Sequence, residues 1–99
     1  MPAIVVRVRA QAEIDDAFEW YHVRSPDAAA DFLTAVDHAL EDIATAPERY
    51  PVVRGRLRRV LLARFPYAVY FKIYPRSISV VGVIHGNRHP DHWLSRAAP

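Results

Sequence analysis

The chain has 99 residues, 52% of them hydrophobic and 24% charged, and no cysteine, which excludes a second core, a disulfide framework and any cysteine nucleophile or thiolate metal site. Its net charge of +2 hides a division: up to Pro51 only Arg7, Arg9, Arg24 and Arg49 offset ten carboxylates, whereas from Val52 onward nine basic residues face Asp91 alone. A field split in this way steers anionic and cationic partners to different sides of the molecule.

Ile4, Val6 and Val8 alternate with Arg7 and Arg9, so residues 4–9 are predicted to be a half-buried strand. From Ala10 the period changes: Ile14, Ala17, Phe18 and Tyr21 recur at helical spacing, with Glu13, Asp15, Asp16 and Glu19 on the wet face. Ser25-Pro26-Asp27 opens a second helix as N-cap, first position and first-turn acid. Its apolar stripe is Ala29, Phe32, Leu33, Val36, Leu40 and Ile43, and Pro47 ends it. Residues 47–51 read as a connector. Three strands follow, over 57–64, 67–74 and 77–85, with Phe65-Pro66 and Tyr74-Pro75-Arg76-Ser77 as the breaks. The order β-α-α-β-β-β predicts an α+β domain, a mainly antiparallel four-stranded sheet with the helical hairpin against one face. One domain spans residues 1–99. No apolar run reaches the ~20 residues of a membrane span, and Met1-Pro2-Ala3-Ile4 has no signal-peptide character. The expected location is cytoplasmic.

Four stretches then stand together: Ala17-Phe18 and Trp20-Tyr21 on the first helix, Tyr50-Pro51-Val52-Val53 leading into Arg58-Arg59-Val60-Leu61-Leu62, Arg64-Phe65-Pro66-Tyr67-Ala68-Val69-Tyr70-Phe71, and Val80-Val81-Gly82-Val83-Ile84-His85 running into Gly86-Asn87-Arg88-His89-Pro90. In this order and at this length the chain resembles the RelE/ParE superfamily of toxins from type II toxin–antitoxin modules, plasmid-stabilisation proteins among them. The resemblance implies a toxin neutralised by a cognate antitoxin, with which it forms a hetero-oligomer, and no cofactor. It implies one of two activities: ribosome-dependent cleavage of mRNA, or inhibition of DNA gyrase without chemistry. A third outcome is a toxin-like binding protein with neither. One ribonuclease branch has two lysines on the strand matching residues 57–64, an arginine on the next strand and a late tyrosine. Here Arg58 and Val60 or their neighbours hold the lysine positions, Tyr67 or Ala68 the arginine position, and no tyrosine follows Tyr74. A second branch uses a Glu base, an Arg and a late His, for which Glu48, Arg58 or Arg64, and His85, His89 or His92 are the counterparts. The gyrase inhibitor is therefore favoured over the nuclease.

Twelve of the thirteen basic residues are arginine, Lys72 being the exception. Arg54, Arg56, Arg58, Arg59 and Arg64 are the expected surface for an acidic antitoxin segment or for phosphate, since guanidinium forks bind either group bidentately. Tyr67 is a candidate for base stacking, although strand aromatics more often pack on the helices, which makes Tyr70 and one of Phe71 or Tyr67 expected core residues. Were the chain a nuclease, Arg58, Arg59, Arg64, His85 and Arg88 would be its catalytic candidates, with a histidine moving protons and Arg88 stabilising charge on phosphate. Otherwise Arg88 is a further contact for a partner's carboxylate. His85, His89, Asp91 and His92 are loosely spaced and lack a cysteine, so no metal site is expected.

Overall fold

The computed structural model describes residues 3–86. Its first element, β1 (Ala3–Val6), is shorter than the alternating pattern suggests, and helix α1 (Val8–Arg24) begins directly after it. Arg7 is the boundary: its backbone is extended, at φ −69° and ψ 157°. Its N–H donates to Val80 O at 3.0 Å, while its carbonyl accepts the first helical bond from Gln11. Burial explains the early switch. Ala10 and Ile14 are both buried, and only a helix puts residues four apart on one face. Val8 consequently lies in the first turn, 88% exposed.

Helix α2 (Pro26–Thr45) starts as the sequence predicts, with the Ser25 hydroxyl accepting from Ala28 N–H at 3.2 Å. A cap of this kind stabilises a helix by about 1 kcal/mol. Its buried stripe is Ala29, Phe32, Val36, Ala39 and Ile43; Leu33 falls outside it. A single 3-10 turn, Pro47–Arg49, leads into the sheet.

The sheet has five strands, one more than expected. Val52–Arg54, which follows the connector and lies outside the predicted strands, is β2, a short edge strand paired antiparallel to β3 (Leu57–Leu61). Pro51 precedes it, and Arg59 N–H donates to the Pro51 carbonyl, so proline occupies an edge where no donor is required. Strands β4 (Tyr67–Ile73) and β5 (Ser77–His85) complete the order β1-β5-β4-β3-β2. All neighbours are antiparallel except β1 and β5, which run parallel.

Both helices cover one face of this sheet, packing Ala10, Ile14, Phe32, Val36 and Ile43 against Val69, Phe71, Ile78, Val80 and Val83. The opposite face carries a second cluster, Leu57, Ala68, Tyr70 and Ile84. Tyr70 therefore does not pack beneath the helices, whereas Phe71 does. Adjacent strand residues point to opposite faces, and Phe71 takes the helix side. A β-bulge lies here: Tyr70 pairs with Gly82 but Phe71 with Val80, leaving Val81 as an extra residue. The bulge shifts the phase of β5. Before it Ile78 and Val80 face the helices; after it Val83 does, and Ile84 joins the opposite cluster.

Candidate functional site

The five arginines that the sequence groups together are distributed over two ends and two faces of the sheet. Arg54 on β2 and Arg56 in the β2–β3 turn lie at one end, and Arg64 lies in the β3–β4 turn at the other. Arg58 and Arg59 are neighbours on β3 and so emerge on opposite faces. Arg58 is half-buried on the helix side and donates to the carbonyls of Tyr50 at 2.6 Å and Glu48 at 3.3 Å. Arg56 donates to Ile73 O at 3.0 Å, with its guanidinium 4.9 Å from the Tyr74 ring. Arg49 donates to the Tyr50 hydroxyl at 2.9 Å, a hydrogen bond that raises its pKa above the ordinary value. The guanidinia of Arg58 and Arg56 tie loops to the sheet, whereas that of Arg49 reaches only its chain neighbour.

Arg64 is different. It is exposed, with φ at +67°, a left-handed conformation that costs a non-glycine residue about 1 kcal/mol or more. The turn is held on both sides: Tyr67 N–H donates to Phe65 O at 2.8 Å, and Gly86 N–H donates to Pro66 O at 2.7 Å. The second bond joins the turn to the end of β5. Tyr67 and His85 are cross-strand partners there, their ring centroids 5.1 Å apart at 76°. Tyr67 also packs edge-on to Phe32 at 5.4 Å and Tyr21 at 6.4 Å. Burial raises the Tyr21 phenol above its usual 10.0.

Beside this junction lies a cleft of 240 Å³, with Glu13, Asp16, Ala17 and Trp20 of α1 along one wall and Tyr67, Val83, Ile84 and His85 along the other. Its existence follows from strand lengths. β1 pairs with β5 only as far as Val6 with Val80, so the last residues of β5 have α1 beside them in place of a strand. Glu13 satisfies the edge, its carboxylate accepting from Val83 N–H at 3.0 Å. Trp20 is 52% exposed. It is held by Arg24, whose guanidinium stacks 3.7 Å from the ring centroid and donates to Trp20 O at 2.7 Å.

Of the residues singled out from sequence, the fold thus brings Arg64, Tyr67 and His85 to one region, and places Arg54, Arg56, Arg58 and Arg59 elsewhere. Arg88, His89, Asp91 and His92 lie outside the described residues. Among those described, no group of His, Asp or Glu is arranged to hold a metal ion, and no helix is long and apolar enough to cross a membrane. The acidic wall was missed by reading Glu13 and Asp16 as ordinary solvated positions. Its signal is present in the sequence: Glu13, Asp16, Trp20 and Val23 are spaced three, four and three apart, which is a single stripe on a helix.

A helical hairpin on a mixed five-stranded sheet, with an acidic cleft between α1 and the end of β5, makes this a small α+β domain. Residues 4–90 match the family of ParE toxins of the type II toxin–antitoxin system parDE, and the chain belongs to that family. It is the toxin of a type II toxin–antitoxin pair, and an antitoxin is its partner. Among solved structures, the fold is similar to a chain of the chromosomal ParDE toxin–antitoxin system from P. aeruginosa, with a TM-score of 0.76 and 17% identity over 86% of this chain and 96% of that one. Among curated proteins, none matches the chain in sequence.

Proposed function

We propose that this toxin acts by binding DNA gyrase and holding it inactive, with no covalent chemistry of its own. The observation that carries the reading is the use already made of its cations. Cleaving RNA through its 2′-OH requires a base, an acid and cations converging on one phosphate. Here Arg58 and Arg56 are committed to backbone carbonyls, and Arg59 leaves the sheet on the other face. Arg64 alone of that group accompanies His85, and the space beside His85 is walled by Glu13 and Asp16, which repel a phosphodiester. A surface built to bind protein accommodates all of these features, and this supports the inhibitor over the nuclease.

Two assays on the purified chain test this. Incubated with gyrase and relaxed plasmid, it is expected to block supercoiling, and added antitoxin to restore it. Incubated with translating ribosomes, it is expected to leave message intact. Cleaved message, abolished by His85→Ala or Arg88→Ala, would replace this reading with the ribosome-dependent nuclease. Intact message together with normal supercoiling would leave a toxin-like binding protein.

A further inference from the structure

We infer that the cleft between α1 and the end of β5 is the docking site for one arginine or lysine side chain of the antitoxin. The inference rests on the assignment of the chain as a toxin, and names which part of it the partner reads. Its lining has two chemistries in one small volume. Three flat π-systems, Trp20, Tyr67 and His85, and two carboxylates, Glu13 and Asp16, enclose the same 240 Å³. Aromatic faces attract a cation most strongly when it is partly removed from water, and a carboxylate beside them supplies the directed hydrogen bonds. The ring of Trp20 already carries one guanidinium, that of Arg24 at 3.7 Å, so this indole is fixed in place and not a floppy surface group.

The two acids have separate tasks. Glu13 binds Val83 N–H, which closes the open edge of β5 and prevents a partner strand from adding there. The occupant of the cleft is therefore a side chain. Asp16, on an exposed turn of the same helix face, is placed to receive its charge. The surface around the cleft points to a protein as the source. Trp20 is 52% and Val23 80% exposed, and they continue the stripe from Glu13 and Asp16 along α1. An apolar strip with a charged pocket at one end matches a partner helix that lays aliphatic residues on Trp20 and Val23 and inserts a cation beyond them. The acidic excess of the first half of the chain steers such a cation toward this side.

Two measurements test the proposal. In the first, the isotope-labelled free chain is titrated with N-acetyl-arginine amide and with its neutral isostere N-acetyl-citrulline amide. The arginine probe alone is expected to shift the Trp20 indole and Val83 amide resonances; equal shifts from both probes would overturn a cation site. In the second, antitoxin affinity is compared for the unmodified chain, Asp16→Lys and Asp31→Lys. The last makes the same charge change on α2, away from the cleft. Asp16→Lys is expected to weaken binding on the order of 100-fold, the effect of reversing a buried interfacial charge, and Asp31→Lys much less. An antitoxin Arg→Glu or Lys→Glu variant should recover affinity for Asp16→Lys. Equal losses for the two toxin variants would mean long-range attraction only, and would overturn the proposal. Loss of self-association in Asp16→Lys with unchanged antitoxin binding would also overturn it, assigning the cleft to a second copy of the chain. Failure of the unmodified chain to bind antitoxin would sink the toxin assignment itself, and the probe titration separates that outcome because it needs no antitoxin.

Discussion

Arg58 and Arg59 are identical in the sequence and opposite in role. Arg58 fills the carbonyl of Tyr50 at 2.6 Å from a half-buried position. Truncation would leave that acceptor short of a partner, and such losses cost about 1–3 kcal/mol. The Arg59 side chain makes no hydrogen bond or ion pair among the described residues, so its truncation should cost no more than ~0.5 kcal/mol. Urea denaturation of Arg58→Ala and Arg59→Ala checks this; equal midpoints would show that the Arg58 bonds contribute nothing to stability. The distinction was not legible in sequence, because a charged pair on a strand says nothing about which loop carbonyl lies within reach. Arg64 is the converse case. Nothing in Arg64-Phe65-Pro66-Tyr67 demands a left-handed residue, yet the two backbone bonds that clamp this turn impose one.

At the scale of elements, the helical hairpin was readable from Ser25-Pro26-Asp27 and from the spacing of Phe32, Val36 and Ile43, since capping chemistry and helical period are local properties. The fifth strand was not. Val52–Arg54 is three residues long between Pro51 and Gly55, too short for alternation to show. Nor was the bulge, because Val80, Val81, Gly82 and Val83 are all apolar or small and carry no phase. Yet that bulge decides which side of the sheet His85 occupies, and hence whether it meets Tyr67 and α1 at all. Phe32 joins the two kinds of element. It is fully buried, 5.4 Å from the Tyr21 and Tyr67 rings and 5.6 Å from Phe65. Phe32→Ala is expected to cost about 3–5 kcal/mol. Tyr67 would lose its backing at the same time, so antitoxin affinity should fall even at temperatures where the variant is fully folded. Calorimetry paired with binding measurements tests both; unchanged affinity in the folded variant would show that Tyr67 is held without Phe32.

For the molecule as a whole, the divided charge seen in the composition does not become one basic face and one acidic face. The sheet scatters its arginines, and the sharper electrostatic feature is a small acidic cleft inside a chain of net positive charge. Long-range steering and local docking are then separable. Raising salt from low to physiological should slow association with the antitoxin by about tenfold while leaving dissociation little changed; stopped-flow kinetics would show it, and a salt-independent association rate would argue against steering. The contacts that build the cleft have a further consequence, in time. Arg7 reaches the Ser79 hydroxyl 72 residues away, and Glu13 reaches Val83 N–H 70 residues away. A ribosome adding ~5–20 residues per second needs several seconds to pass from the first partner of each pair to the second. Throughout that interval β1 and α1 have no β5 to rest on, and the wall that carries Val83 and His85 has not been made. A nascent chain thus has neither the finished fold of the toxin nor the cleft by which it would be silenced, and both mature only once β5 has been made.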